Sequence, residues 1–295
     1  MGYYLRATDE LFLRVLTARD GGGVRAGLIS GAPGVGKTAL GRYFADQLGG
    51  GVEYYLCHHW TSDEDLYVRI DPARVAALAG GIEGVEMEDA YRAGVLLRAV
   101  NKSRIQPVVC LIDELDKAPE RVDALLLEFL QTGRVYGAFG EVWEANLENL
   151  YVIITDNGIR PIAEPLLRRV FRYHMPYLPP NIEADIIRKQ TGAGAGVCRL
   201  IVQMMTAIRQ NGQSSPSLQE GVRLAESLPL AHSSEEVELL LRGWLCKSDA
   251  DWAVLVEMCD QFQWAPTLGG ECYTKNSGKV SGWSAPVSMG THPWG

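Results

Sequence analysis

The sequence has no closely paired cysteines. Its six (Cys57, Cys110, Cys198, Cys246, Cys259 and Cys272) are scattered, and none forms a CxxC. That spacing excludes a disulfide-stapled scaffold and a zinc ribbon, and it fits reduced thiols in a cytoplasmic protein. No apolar run approaches the ~20 residues that a membrane-crossing helix needs, so no membrane insertion is expected. The five histidines are dispersed, and no Ser/His/Asp or Cys/His set for nucleophilic catalysis stands out. Positive charge is not in excess: 28 Lys+Arg against 36 Asp+Glu leave −8. This argues against gripping nucleic acid through bulk charge, although a local basic groove stays open. Met1 to Asp20 is amphipathic and carries acids, so it reads as neither a secretory signal nor a transit peptide.

What is present is a chain able to build a core. Of 295 residues, 47% are apolar and 22% charged, which allows one large domain or two modest ones. Thr8 to Arg19 reads as a short helix, broken by Gly21-Gly22-Gly23. Val24–Ser30 reads as a strand that runs into a glycine-rich turn. Ala39–Leu48 restores a helical period through Leu40, Tyr43, Phe44 and Leu48. Val52–Cys57 is the next strand and Ala90–Val100 the next helix. Val108–Ile112, wholly apolar, reads as a strand buried on both faces. Pro119 opens a helix with Val122, Leu125, Leu126, Phe129 and Leu130 on its face, and Gly133 ends it. Arg134–Ala145 alternates as a hairpin would, and Tyr151–Thr155 and Val170–His174 read as further strands.

Strands alternating with helices predict an α/β fold with a parallel sheet between two helical layers. The pattern changes at Pro176–Pro180, after which only helical periods are seen. The expected organisation is an α/β domain over 1–178, an all-helical domain over 179–263 and an irregular tail over 264–295. The tail fits a loop, a partner-binding arm or disorder.

The strongest chemical signal is Gly31-Ala32-Pro33-Gly34-Val35-Gly36-Lys37-Thr38, a complete GxxxxGK[ST] between a strand and a helix. Glycines let backbone N–H groups curl around a β-phosphate, Lys37 reaches the β- and γ-phosphates, and Thr38 offers a hydroxyl to Mg²⁺. The helix that follows aims its N-terminal dipole at the anion. The second signal is Asp113-Glu114 at the end of the buried strand. The carboxyl ends of parallel strands face the ligand crevice. There Asp113 can hold a metal through water and Glu114 can polarise an attacking water.

This combination resembles the AAA+ ATPases, a class of P-loop NTPase. More narrowly it resembles the MoxR-like branch and its relatives, the McrB GTPase and the dynein-type modules. GAPGVGKT (31–38) is their Walker A form, and GVLLRAV (94–100) is similar to the segment ahead of Walker B. VVCLIDELDKAPERVDALLLEFLQTGRV (108–135) is similar over its whole length to the Walker B strand and the helix beyond. IITDN (153–157) sits at the sensor 1 strand, which would make Asn157 the group that orients the lytic water. PLLRRVFR (165–172) resembles the segment ending in an arginine finger. Arg169 stands where the finger is usual, and Arg168 is either the finger or an intersubunit support. A solvated basic turn would explain the same pair. The resemblance covers roughly residues 10–230 and is most specific at Walker A and B.

The resemblance implies ATP and Mg²⁺ bound between the α/β domain and a helical lid. It also implies assembly into a homo-oligomeric ring, a hexamer by analogy, that remodels or activates a client protein. Two other readings stay open: a motor subunit of a nucleic-acid-directed complex, in which GTP is a possible substrate, and a nucleotide-gated scaffold that scarcely hydrolyses. The first needs a basic pore face, for which Arg98, Lys102, Arg104 and Arg134 are few. The second draws on a departure from the family. Relatives carry a Ser-Pro-Arg-like sensor 2, whereas this chain reads Ser215-Pro216-Ser217, with Arg223 two helical turns on.

Cys57-His58-His59 invites a metal reading. Adjacent side chains on an extended chain point opposite ways, and carboxylates at ligand spacing are lacking. The loop from Cys57 to Asp71 lies, in relatives, toward the pore or substrate side of the ring. His59, Trp60 and Tyr67 are therefore candidates for touching a client, and a partly buried aromatic turn fits them equally well.

Overall fold

The computed structural model describes residues 3–18, 23–80, 91–137, 140–262, 272–274 and 278–280. By compactness the chain divides into two units, Met1–Ala32 with Gly36–Pro176, and Pro33–Val35 with Tyr177–Gly295.

The first unit runs α1 (Ala7–Ala18), β1 (Arg25–Ser30), α2 (Lys37–Gln47), β2 (Gly51–Leu56), α3 (Asp63–Leu66), β3 (Val68–Ile70), α4 (Pro72–Ala79), β4 (Tyr91–Ala93) and α5 (Val95–Ser103). It continues with β5 (Val108–Asp113), α6 (Arg121–Thr132), β6 (Arg134–Tyr136), β7 (Val142–Glu144), β8 (Leu150–Asp156), α7 (Glu164–Leu167) and β9 (Phe171–His174). Five strands form one parallel sheet in the order β2-β5-β8-β1-β9. This is the α/β architecture that the alternation of strands and helices predicts.

Position in the sheet explains the composition of each strand. The inner strands β5 and β8 are buried along nearly their whole length and are almost uniformly apolar. At the edge, β2 alternates: Glu53 points inward to Arg98 and Lys102 of α5, while Tyr54 and Leu56 on the opposite face are 37% and 46% exposed. On one face α6 packs Val122, Leu126 and Phe129 into a core with Leu96, Val100, Cys110 and Ile112. On the other, α2 approaches β5 so closely that a Cβ at Gly41 would sit 3.0 Å from Leu111 Cδ1. Cys57 and Cys110 are free and buried, and burial pushes the Cys57 thiol up to about 12.

Two sequence readings are corrected. Residues 91–93, expected in a helix that begins at Ala90, instead form β4, paired antiparallel with β3. Here Gly94 abuts the Leu66 backbone, where a Cβ would lie 2.5 Å from the Leu66 carbonyl carbon, and α5 starts only after it. Ala90 itself, like Arg19, Gly21 and Gly22, lies outside the described residues. Pro119 is not the first helical residue either: its carbonyl accepts the Val122 N–H in a lead-in turn, and α6 begins at Arg121. The expected hairpin is present as β6 paired with β7.

The second unit contains α8 (Pro180–Thr191), α9 (Ala195–Asn211), α10 (Leu218–Ser227), α11 (Ser234–Leu245) and α12 (Asp249–Phe262). Its core joins Ile187, Ile201, Met205, Ile208, Leu224, Leu241, Leu245 and Leu255. A buried ion pair fastens α8 to α9: Arg209 donates to both Glu183 oxygens at 2.8 and 3.0 Å. The same guanidinium donates to Pro216 O at 2.8 Å and lies 3.8 Å over the Tyr177 ring. In the segment read as an irregular tail, β10 (Cys272–Thr274) and β11 (Gly278–Val280) pair antiparallel. The remainder of that segment, with Trp264, Trp283 and Trp294, lies outside the described residues. No described helix is long and apolar enough to cross a membrane.

Candidate functional site

The loop from Gly31 to Thr38 joins β1 to α2. Gly34 and Gly36 hold φ of 76° and 103°, a left-handed backbone that side chains disfavour. Val35 lies between these two glycines, and Ala32 and Pro33 precede them. Gly36 is the N-cap of α2 and offers no capping side chain, so the first amides of this 11-residue helix remain available to an anion.

Lys37, at the start of α2, is 6% exposed. Its Nζ donates to Gly31 O at 2.7 Å, Ala32 O at 2.9 Å and Asn157 Oδ1 at 2.6 Å. Burial lowers its pKa, opposed by the negative charges of Asp116, Asp113, Asp156 and Glu114. Thr38 Oγ1 is 2.9 Å from each Asp113 oxygen, a single proton shared between them. Asp113 also accepts from Thr155 Oγ1 at 2.5 Å and from the Tyr54 hydroxyl at 3.0 Å.

Glu114 follows with φ 56°, the one positive value among the described non-glycine residues. A non-glycine residue in this region is uncommon and costs on the order of 1 kcal/mol or more. Several contacts enforce it. Thr155 Oγ1 accepts the Glu114 N–H at 2.8 Å, and the Glu114 carbonyl closes a 3-10 turn over Leu115–Lys117. Arg160 grips that turn through Leu115 O and Ala118 O, and it is itself held by both oxygens of the buried Asp123. The Glu114 carboxylate sits between Asn157 Nδ2, 3.1 Å from Oε1, and Lys117 Nζ, 2.5 Å from Oε2.

Asn157 thus bridges Lys37 and Glu114, accepting from one and donating to the other. Its neighbours make the turn: Asp156 Oδ1 accepts the Gly158 N–H at 2.6 Å, and Gly158 takes φ 79°. The structure brings Lys37, Thr38, Asp113, Glu114 and Asn157 into one hydrogen-bonded network. Arg168 and Arg169 occupy the exposed turn between α7 and β9, where Arg168 pairs with Glu164.

Ser217, which the sequence reading aligns with sensor 2, caps α10: it exchanges backbone and side-chain hydrogen bonds with Glu220 in a capping box. Arg223 is exposed and pairs with Glu226 at 3.1 Å. In the loop after β2, Trp60 is 76% exposed and its ring lies 4.8 Å from that of His59. Tyr67 does not join them: it packs against the core and its hydroxyl donates to Leu125 O at 2.5 Å.

Sequence reading misses Tyr54, Lys117, Thr155 and Arg160. Tyr and Thr inside a strand look like ordinary β-formers, and no spacing rule marks Lys117 or Arg160. The oxygen-only donors at Thr38 and Asp113 suit a hard cation such as Mg²⁺, and the glycine-bearing loop beside a buried lysine suits a polyphosphate.

Residues 27–170 match the AAA domain of the dynein-related subfamily. Probable chaperone protein ClpB 1 of Chlorobaculum tepidum is 33% identical over 134 residues, 43% of this chain and 26% of that protein. Chaperone protein ClpB of Aquifex aeolicus is 33% identical over 137 residues, 44% of this chain and 12% of that protein. The chain therefore corresponds to a minor part of each of these relatives. Among solved structures, domain III of the Thermotoga maritima replication initiation protein DnaA is similar at 15% identity and a TM-score of 0.45, covering 82% of this chain and 95% of that one. Over residues 27–170 the chain is therefore similar to AAA domains, and the ClpB likeness extends over a comparable stretch of 134 residues.

Proposed function

We propose that this protein is an AAA+, Mg²⁺-dependent ATPase that works as a homo-oligomeric ring, of the MoxR-like kind, to remodel or activate a client protein. The observation that carries the reading is the network joining Lys37, Thr38, Asp113, Glu114 and Asn157, because it sets a phosphate-binding lysine, a metal-holding pair and a base within hydrogen-bond reach of one another.

In this reading Lys37 exchanges the carbonyls of Gly31 and Ala32 for phosphate oxygens, and the free amides at the start of α2 complete the cradle. Thr38 and Asp113 would hold Mg²⁺, which supplies neutralising charge at the β- and γ-phosphates. Glu114 accepts a proton from the attacking water. Asn157 and Lys117 hold its two carboxylate oxygens, so the base is oriented before substrate arrives. Arg169, or Arg168 beside it, would stabilise transition-state charge in the nucleotide site of a neighbouring copy. His59 and the exposed Trp60 are the candidate client contacts. The ClpB relatives are chaperones by name, which supports a protein client, and the net charge of −8 gives no support to a nucleic-acid track.

Phosphate release from ATP, with and without Mg²⁺, tests the reading. Wild-type protein should turn over, Glu114→Gln should bind ATP and be slower by roughly 10²–10⁴-fold, and Lys37→Ala should fail to bind. Equal turnover by wild type and Glu114→Gln would refute hydrolysis as the activity. Native mass measurement with ATP and Mg²⁺ tests the ring and shows whether a copurifying client is protein or nucleic acid.

A further inference from the structure

Tyr54 belongs to no motif, yet its hydroxyl meets the carboxylate at the end of β5. Strand alternation puts Tyr54 and Leu56 on one face of β2, and Glu53 and Tyr55 on the other. In the parallel register Tyr54 lies beside Leu111 and Leu56 beside Asp113. Tyr54 and Asp113 therefore share a face, two residues apart along the strands, a diagonal that a long aromatic side chain spans. The phenol closes this gap at 3.0 Å from Asp113 Oδ2. The guanidinium of Arg42, from α2, lies over the same ring, 4.9 Å from its centre.

The donors to Asp113 are not equivalent. Thr155 serves only Oδ1 and Tyr54 only Oδ2, whereas Thr38 divides one proton between the two. A carboxylate held at opposite oxygens by separate donors cannot rotate about its last bond without breaking one of them. Remove Tyr54, and Oδ2 keeps only a share in the Thr38 proton.

We propose that Tyr54 is a positioning residue for the divalent cation: with Thr155 it locks the plane of the Asp113 carboxylate, so that this group meets the ion in one orientation. This rests on the reading of Thr38 and Asp113 as the groups that hold the metal. Partners that orient metal-holding groups are typically worth 10–100-fold in metal affinity, and a single exposed-edge hydroxyl should fall at about tenfold.

The test compares wild type, Tyr54→Phe and Arg42→Ala in two measurements. One is Mn²⁺ binding, followed by electron paramagnetic resonance in the presence of a non-hydrolysable ATP analogue. The other is affinity for a fluorescent ATP analogue in EDTA. Tyr54→Phe should bind Mn²⁺ about tenfold more weakly, with metal-free nucleotide affinity unchanged. Arg42→Ala, which keeps the hydroxyl, should lose far less. Unchanged Mn²⁺ affinity in Tyr54→Phe, with nucleotide bound normally, would overturn the role of Tyr54 and leave the ATPase reading standing. Equal losses in both variants would assign the effect to ring packing and overturn the proposal as well. Failure of the wild-type protein to bind nucleotide would instead refute the ATPase reading, and the proposal with it.

Discussion

Lys37 is held between opposing forces. Burial lowers its pKa, four acidic groups oppose that shift, and its three hydrogen bonds go to two carbonyls and an amide oxygen, none of which carries a full negative charge. A bound triphosphate would supply such charge directly and raise the pKa again. Nucleotide binding at alkaline pH should therefore take up a proton, in the window between the lowered pKa of the free lysine and the higher one of the complex. Calorimetry of nucleotide binding in two buffers of different ionisation enthalpy measures this, with uptake growing as pH rises into that window. Absence of uptake in wild type across alkaline pH would contradict the assignment of Lys37 to the phosphates. At this scale the sequence is informative where spacing encodes geometry: Gly31–Thr38 and Asp113-Glu114 are contiguous strings whose backbone path is nearly fixed by their types. It is silent about Tyr54 and Thr155, whose partner lies on another strand and becomes their neighbour only through sheet register.

Elements follow the same logic. Long periodic stretches such as α6, α9, β5 and β8 are legible because burial of a whole face leaves a repeating apolar pattern. The β3–β4 pair is not, because three-residue strands carry too few alternations and their partners are separated by more than twenty residues of sequence. Charged residues inside helical faces are equally opaque. Glu183 and Arg209 sit on α8 and α9 as unremarkable polar positions, yet they form a two-pronged pair with side chains only 2% and 8% exposed. Arg209→Ala would leave Glu183 buried without its cation, which should cost about 3–5 kcal/mol. The double substitution Glu183→Leu with Arg209→Met removes both charges and should recover most of that loss. Urea denaturation followed by circular dichroism distinguishes the two outcomes. A double variant as unstable as the single one would show that the pair contributes through the Pro216 and Tyr177 contacts rather than through its charge.

At the scale of the whole molecule, the arginine pair of the α7–β9 turn bears on assembly. It is exposed, on a different loop from the network that holds Asp113, Glu114 and Asn157, which suits a group acting on another copy. If Arg169 acts in trans, Arg169→Ala should bind ATP normally and lose on the order of 10³-fold or more in turnover, as removal of an arginine finger does. A stronger test uses two defective proteins. Arg169→Ala retains Glu114, and Glu114→Gln retains Arg169, so neither forms a complete site with copies of itself. Mixed together, an Arg169→Ala subunit beside a Glu114→Gln subunit regains both groups at one boundary, because a head-to-tail interface presents different faces to each other. Random 1:1 mixing should restore up to about a quarter of wild-type turnover, since half the subunits keep the base and half of those meet a neighbour that keeps the arginine. Steady-state phosphate release across mixing ratios reads this directly, with a maximum near equal amounts. A flat response, no higher than the sum of the two separate rates, would mean that Arg169 serves its own subunit or none, and that catalysis here does not depend on a ring.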